Sequence, residues 1–280
     1  MKIIIWNDNT PQPQIDAIAN TAFADLTRNY TRPDDNAHAH TAAPVFVRVL
    51  GQSGAGKSTQ GLPAVLSHYG HRQTPAENSR RDEKNTDSER NSGKDFIVLA
   101  IADFIKYHPC GETVREKANG FCLRVLTEVL HKLIAAELNI VLDMTVLTES
   151  YEAELLNKLT THNYELNYFI LAVPKKQSDK FIAIRKCKTG RVVSKQSAEF
   201  FNDCLQAGVE LLAHKAPHAN CVMWSAYELQ PIYHGEIGKA LTPFNAARQE
   251  LKELKYNCDE LLHAKTEFMK TLPAGNSTPN

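Results

Sequence analysis

Residues 51–58 read Gly51-Gln52-Ser53-Gly54-Ala55-Gly56-Lys57-Ser58 and fit G-x-x-x-x-G-K-[ST] at every fixed position. Few local patterns restrict a fold as strongly. The glycines let consecutive backbone N–H groups turn inward, which requires a strand ending at the first glycine and a helix starting near the lysine. Both flanks are present. Pro44-Val45-Phe46-Val47-Arg48-Val49-Leu50 reads as a buried strand, and Leu62, Val65 and Leu66 mark an amphipathic helix beyond the loop. Inward N–H groups at a helix N-terminus suit phosphate oxygens. Lys57 is placed to reach β- and γ-phosphates, and Ser58 to ligate Mg²⁺. Gly51, Gln52, Ser53, Gly54, Ala55, Gly56, Lys57, Ser58 and Thr59 are the expected nucleoside triphosphate site.

Downstream, apolar runs alternate with amphipathic segments. The expected strands are 96–102, 138–143, 165–173 and 221–227. The expected helices are 15–26, 114–136, 149–160, 178–187, 195–214 and 244–271. This alternation implies an α/β fold, a P-loop kinase-like parallel sheet flanked by helices on both faces, in a single domain. That domain is expected over 44–272, after an N-terminal helix and polar loop at 1–43 and before a disordered tail at 273–280. Residues 71–94 mix both charge signs and carry no large apolar side chain, which predicts a mobile surface insertion.

The 32 Lys+Arg balance the 32 Asp+Glu, so the net charge is zero. A broad nucleic-acid or anionic-membrane surface would need a basic excess, and neither partner is expected. The longest apolar run, Phe96 to Ala102, falls far short of the ~20 residues that span a bilayer. Six scattered cysteines with no C-x-x-C pair suit buried thiols and a cytoplasmic location. The 11 histidines show no zinc spacing; His38-Ala39-His40 is the one close pair, in a polar linker.

Other P-loop classes fit less well. A switch GTPase would carry N-K-x-D, but Asn157-Lys158-Leu159-Thr160 ends on the wrong residue inside an expected helix. From Lys180 to Ala198 there are six positive residues and no acid, a basic lid of the kind that closes over a γ-phosphate in a small-molecule kinase. Two strand-end carboxylates are candidates for chemistry. Asp103 can accept a proton from an acceptor hydroxyl, or simply end its strand. Asp143 can hold Mg²⁺ or orient the acceptor. His108 with Pro109 fits a turn.

At these positions the chain resembles the zeta toxins of epsilon/zeta toxin–antitoxin systems, from about Val45 to Glu250. Four anchors occur in order: the 51–58 loop; Asp103-Phe104 with His108-Pro109; Leu171-Ala172-Val173-Pro174 with Ser178 and Arg185; and Gly190-Arg191-Val192-Val193-Ser194. The resemblance implies a kinase that moves the ATP γ-phosphate to a hydroxyl of a UDP-activated sugar such as UDP-N-acetylglucosamine, depleting cell-envelope precursors. It implies a small antitoxin that blocks the nucleotide site. By position, Lys57 and Ser58 hold ATP and Mg²⁺, Arg185 and Arg191 contact the transferring phosphate, and Asp143 and Thr145 fall on the E-G-T element, whose threonine contacts the sugar.

The departures concentrate on the acceptor side. The family's catalytic aspartate, six residues before His-Pro, is Ala102 here, and Asp103 is the nearest replacement. The E-G-T glutamate is Asp143, the arginine four residues beyond it is Leu147, and the Arg185–Arg191 spacing is shorter. Two further readings therefore stand beside the sugar kinase. One is a P-loop kinase of another small acceptor (a nucleoside, an antibiotic or a nucleotide cofactor). The other is a nucleotide-binding regulatory protein whose catalysis has decayed.

Overall fold

Strand β1 (Val45–Leu50) is buried along its whole length, and its two faces meet different partners. The computed structural model describes residues 8–28, 30, 43–69, 96–109, 118–145, 148–189, 193–251, 253 and 255–272. β3 (Ile140–Asp143) and β4 (Glu165–Leu171) run parallel to β1, one on each side. With β2 (Ile97–Ala100), β5 (Asn220–Trp224) and an antiparallel β6 (Tyr233–Glu236), they form a sheet ordered β2-β3-β1-β4-β5-β6.

A strand paired on both edges and covered on both faces needs apolar side chains on each face. Val45, Val47 and Val49 pack with α2 (Leu62–Tyr69) and α8 (Cys258–Thr271). On the other face, Phe46 joins α1 (Gln12–Thr27), α3 (Asn119–Ala135) and α4 (Glu149–Thr161), and Leu50 joins α6 (Lys195–Lys215) and α7 (Leu241–Gln249). The expected α/β class and single domain are what the chain adopts. No helix among the described residues is long and apolar enough to cross a membrane.

Several boundaries differ from expectation. The strand expected at 96–102 stops at Ala100, where the Asp103 carboxylate accepts from the Ala100 N–H (3.0 Å) and turns Ile101–Tyr107 into a 3₁₀ segment. The strands expected at 165–173 and 221–227 end at Leu171 and Trp224. The helix expected at 244–271 is two helices, α7 and α8. Asn257 starts α8 with a reciprocal cap, its side chain accepting from the Glu260 N–H (3.0 Å) while Glu260 accepts from the Asn257 N–H (2.8 Å). Leu251, expected on the core stripe, is 52 % exposed. Strand β6 was not expected. The 71–94 insertion, the tail, the His38–His40 pair, Cys110, Leu147 and Arg191 lie outside the described residues.

One buried charge stands out on α8. Lys265 is fully buried, with its Nζ 4.7 Å from the centre of the Trp224 ring and donating to the Leu261 carbonyl (3.4 Å). Burial pushes its pKa down to about 8. Below pH 8 the lysine is charged in both folded and unfolded chains, and the folded chain bears the full desolvation cost. Between pH 8 and 10.5 the folded chain loses its proton first, so stability from this group rises with pH. Lys265→Met is expected to gain on the order of 3 kcal/mol at pH 7, an advantage that fades by pH 10.5. Urea titrations at both pH values check this; equal pH slopes for the two proteins would contradict it.

Candidate functional site

The connections after β1 and β4 leave the sheet in opposite directions, toward β2 and β5. In open parallel sheets such a reversal opens a crevice at the carboxyl ends of the strands. The 51–58 loop occupies that place, directly after Leu50. Gly54 and Gly56 have φ of +82° and +90°, the left-handed region that favours glycine. A Cβ on Gly54 would also stand 2.7 Å from the Ser178 carbonyl oxygen. The loop then enters a single π-type turn, Lys57–Gly61, which continues into α2.

The loop is held by side chains from three directions. Lys57 Nζ folds back on the Gly51 carbonyl (2.7 Å) and the Gln52 carbonyl (3.3 Å). Gln52 is buried and its Nε2 donates to the Val173 carbonyl (2.6 Å), just past β4. Ser178, on the first turn of α5 (Lys175–Thr189), donates its hydroxyl to the Ser53 carbonyl. Ile182 approaches the same face of Gly54, and Arg185 follows three residues later, on the same side of the helix. Burial lowers the Arg185 pKa from its ordinary value. The Thr59 hydroxyl reaches the Gly56 carbonyl (3.4 Å) and is exposed.

Strand ends supply the acidic groups. The Ser58 hydroxyl donates to Asp143 Oδ2 (3.1 Å), across 85 residues of sequence. Asp143 is buried at the end of β3, in register with Val49 on β1 and Ala100 on β2. Asp103 lies three residues beyond Ala100, half-buried, beside Lys106 and Tyr107 in a shallow pocket that Leu26 of α1 helps to line. His108 closes the 3₁₀ segment, its N–H donating to the Ile105 carbonyl (3.0 Å) and its ring standing edge-on to Phe121. That placement fits the turn. Thr145, two residues past β3, donates to the Gly51 carbonyl (3.3 Å) and so touches the loop directly.

Chemically, this set offers a glycine-turned loop, the Lys57 ammonium beside it, and a hydroxyl–carboxylate pair fit for a hard cation. Among the described residues no three or more His, Cys, Asp or Glu gather as a metal cluster. The donor set thus leaves most of a cation's shell to phosphate oxygens and water, as Mg²⁺ prefers.

Comparison with known families decides the lineage: a zeta toxin family model matches residues 84–225. The chain belongs to the zeta toxin family. The matched span holds Asp103, Asp143, Thr145, Arg185 and Arg191 but begins after the 51–58 loop, so the phosphate-loop assignment stands on its own residues and geometry. Among solved structures, one of the PezAT chromosomal toxin–antitoxin system of Streptococcus pneumoniae is similar, with TM-score 0.62 and 13 % identity over 95 % of this chain and 100 % of that one. A structure of AvrRxo1-ORF1:-ORF2 with ATP has TM-score 0.55 and 9 % identity over 91 % of this chain and 86 % of that one. At such identities the likeness is one of fold. No curated protein matches the sequence.

Against this zeta toxin scaffold, sequence reasoning overlooked two groups. Arg48 and Glu152 form a fully buried ion pair, with Arg48 Nη2 to Glu152 Oε1 at 2.9 Å, and the same guanidinium reaches the Thr145 carbonyl (3.4 Å). The signal was present: a lone arginine inside an all-buried strand must find a carboxylate. Arg248 of α7 reaches Gln52 from 196 residues away, and nothing local marks it.

Proposed function

We propose that this chain is a toxin-type kinase of the zeta family, acting in the cytoplasm. It transfers the ATP γ-phosphate to a hydroxyl of a UDP-activated sugar such as UDP-N-acetylglucosamine and so depletes cell-envelope precursors. The Ser58–Asp143 contact beside a glycine-turned phosphate loop is the observation that carries this reading. The loop N–H groups cradle the phosphates, and Lys57 leaves the Gly51 carbonyl to meet the β- and γ-phosphate oxygens. Ser58 and Asp143 would hold Mg²⁺, which when bound would supply charge neutralisation on the triphosphate. Asp103 takes the proton of the acceptor hydroxyl as its oxygen bonds to the γ-phosphorus and the β–γ bridge breaks, leaving ADP. Arg185 and Arg191 stabilise charge on the transferring group. Asp143 and Thr145 bound the acceptor side.

A small cognate antitoxin is the proposed partner. The PezAT system, named for a toxin–antitoxin pair, has a member of this fold. Ala102, exposed where the family's catalytic aspartate would stand, favours keeping a second acceptor class in view: another small molecule with a free hydroxyl.

Incubation with ATP, Mg²⁺ and a panel of UDP-sugars, read by mass spectrometry, tests the acceptor. A product heavier by one phosphoryl group, about 80 Da, is expected from at least one sugar. Its absence from all of them, with phosphate found on a nucleoside or cofactor instead, would move the proposal to the second class. Asp103→Asn is expected to lower turnover about 10²–10⁴-fold, the range of a lost general base. Unchanged turnover would remove Asp103 from the mechanism.

A further inference from the structure

The last turn of α7 meets the phosphate loop through one side chain. Arg248 Nη1 donates to Gln52 Oε1 (3.3 Å), while its Nη2 donates to the side-chain oxygen (2.7 Å) and carbonyl (3.2 Å) of Asn202 on α6. The guanidinium carbon lies 5.2 Å from the centre of the Phe244 ring, itself fully buried, which fixes the plane of the fork. Gln52 is 1 % exposed and is spanned end to end: its Nε2 is spent on Val173 and its Oε1 is met by Arg248. Its own carbonyl receives Lys57 Nζ and the Ala55 N–H (3.1 Å). Beside the Thr145 and Ser178 contacts, the first half of the loop is therefore tied through one buried amide to a donor from outside the family-matched span.

We infer that Arg248 is a positioning residue of the nucleotide site, acting through Gln52 to hold the loop in its phosphate-receiving shape and through Asn202 to join it to the helix after the basic lid. A buried amide oxygen that loses its donor bears its desolvation cost unrelieved, and the loop relieves it by moving. Movement at Gln52 shifts the carbonyls that park Lys57 and the N–H groups that follow. Asn202 shares the same guanidinium, so the α6 end of the lid and the loop shift together. Lysine could supply one donor in place of Arg248 but lacks the planar fork that reaches both partners.

This inference rests on the nucleotide-site reading above and is independent of the acceptor. The test is binding of a fluorescent ATP analogue with Mg²⁺ to the full chain, with thermal melts alongside. Arg248→Ala is expected to weaken binding roughly tenfold, the weight of one buried hydrogen bond left half-made. Gln52→Ala should do the same. The double variant should bind no worse than the weaker single, because both changes cut one chain of contacts. Arg248→Lys should recover part of the loss. Additive losses in the double variant, or a lowered melting temperature with unchanged affinity, overturn the proposal. If Arg248→Ala does not fold, Arg248→Lys and Arg248→Gln give the same comparison, and wild-type affinity in both overturns it. Failure of the wild-type chain to bind the analogue overturns the nucleotide reading itself, and this inference with it.

Discussion

Lys57→Ala is expected to lower phosphoryl transfer by roughly 10²–10³-fold, the range for removing one preorganised electrostatic donor, and to abolish growth inhibition when the protein is expressed. The fold should survive the change. The Lys57 side chain is half-exposed and donates to the Gly51 and Gln52 carbonyls, both of which keep other donors: Thr145 on the first and Ala55 on the second. The melting temperature should therefore stay close to that of the wild type while turnover collapses. Transfer is read from the phosphorylated product, and toxicity from growth after induction. Toxicity that outlives the lysine would detach cell killing from phosphoryl transfer altogether.

The second large effect falls on stability. Removing either partner of the Arg48–Glu152 pair leaves an uncompensated charge in a site that is 1 % exposed on both sides, at a cost of about 3–5 kcal/mol. Arg48→Met should lose about 10 °C or more in melting temperature. Burial acts against the Arg48 charge, and Glu152 outweighs it, so that the guanidinium pKa is raised. Arg48→Met with Glu152→Leu removes both charges together, and should be nearly as stable as the wild type or more so. Leu155, Leu156 and Tyr168 line the space around the pair, so the apolar replacements would meet apolar neighbours. Chemical denaturation of the four proteins measures the coupling. A single variant as stable as the wild type would show that the pair does not carry its charges through folding.

What could be read in the sequence was local. The phosphate loop declares itself within eight residues, because its chemistry needs adjacent backbone groups. Asp143 was legible as the polar end of an apolar strand, and its contact with Ser58 followed from parallel register rather than from sequence distance. The helix expected at 244–271 failed because Leu251 continued the apolar spacing past Gln249; the reciprocal Asn257–Glu260 cap was the contrary signal. Strand β6, Tyr233-His234-Gly235-Glu236, has neither alternation nor an apolar run, and only its edge pairing with β5 makes it a strand. The Gln52–Arg248 and Arg48–Glu152 contacts join residues 196 and 104 positions apart. Pairings of that span are properties of the assembled sheet.

The position of β1 has a consequence for synthesis. The first strand made is the central one, and its neighbours β3 and β4 leave the ribosome about 90 and 120 residues later. The phosphate loop is translated early, and Asp143, Val173, Ser178 and Arg248, the groups that shape it, follow 85 to 196 residues after the loop residues they meet. A nascent or truncated chain ending before Pro174 thus carries the loop's residues without the Ser178 and Arg248 contacts that hold it. The proposed phosphoryl transfer is therefore expected only from a chain that has been made as far as Arg248.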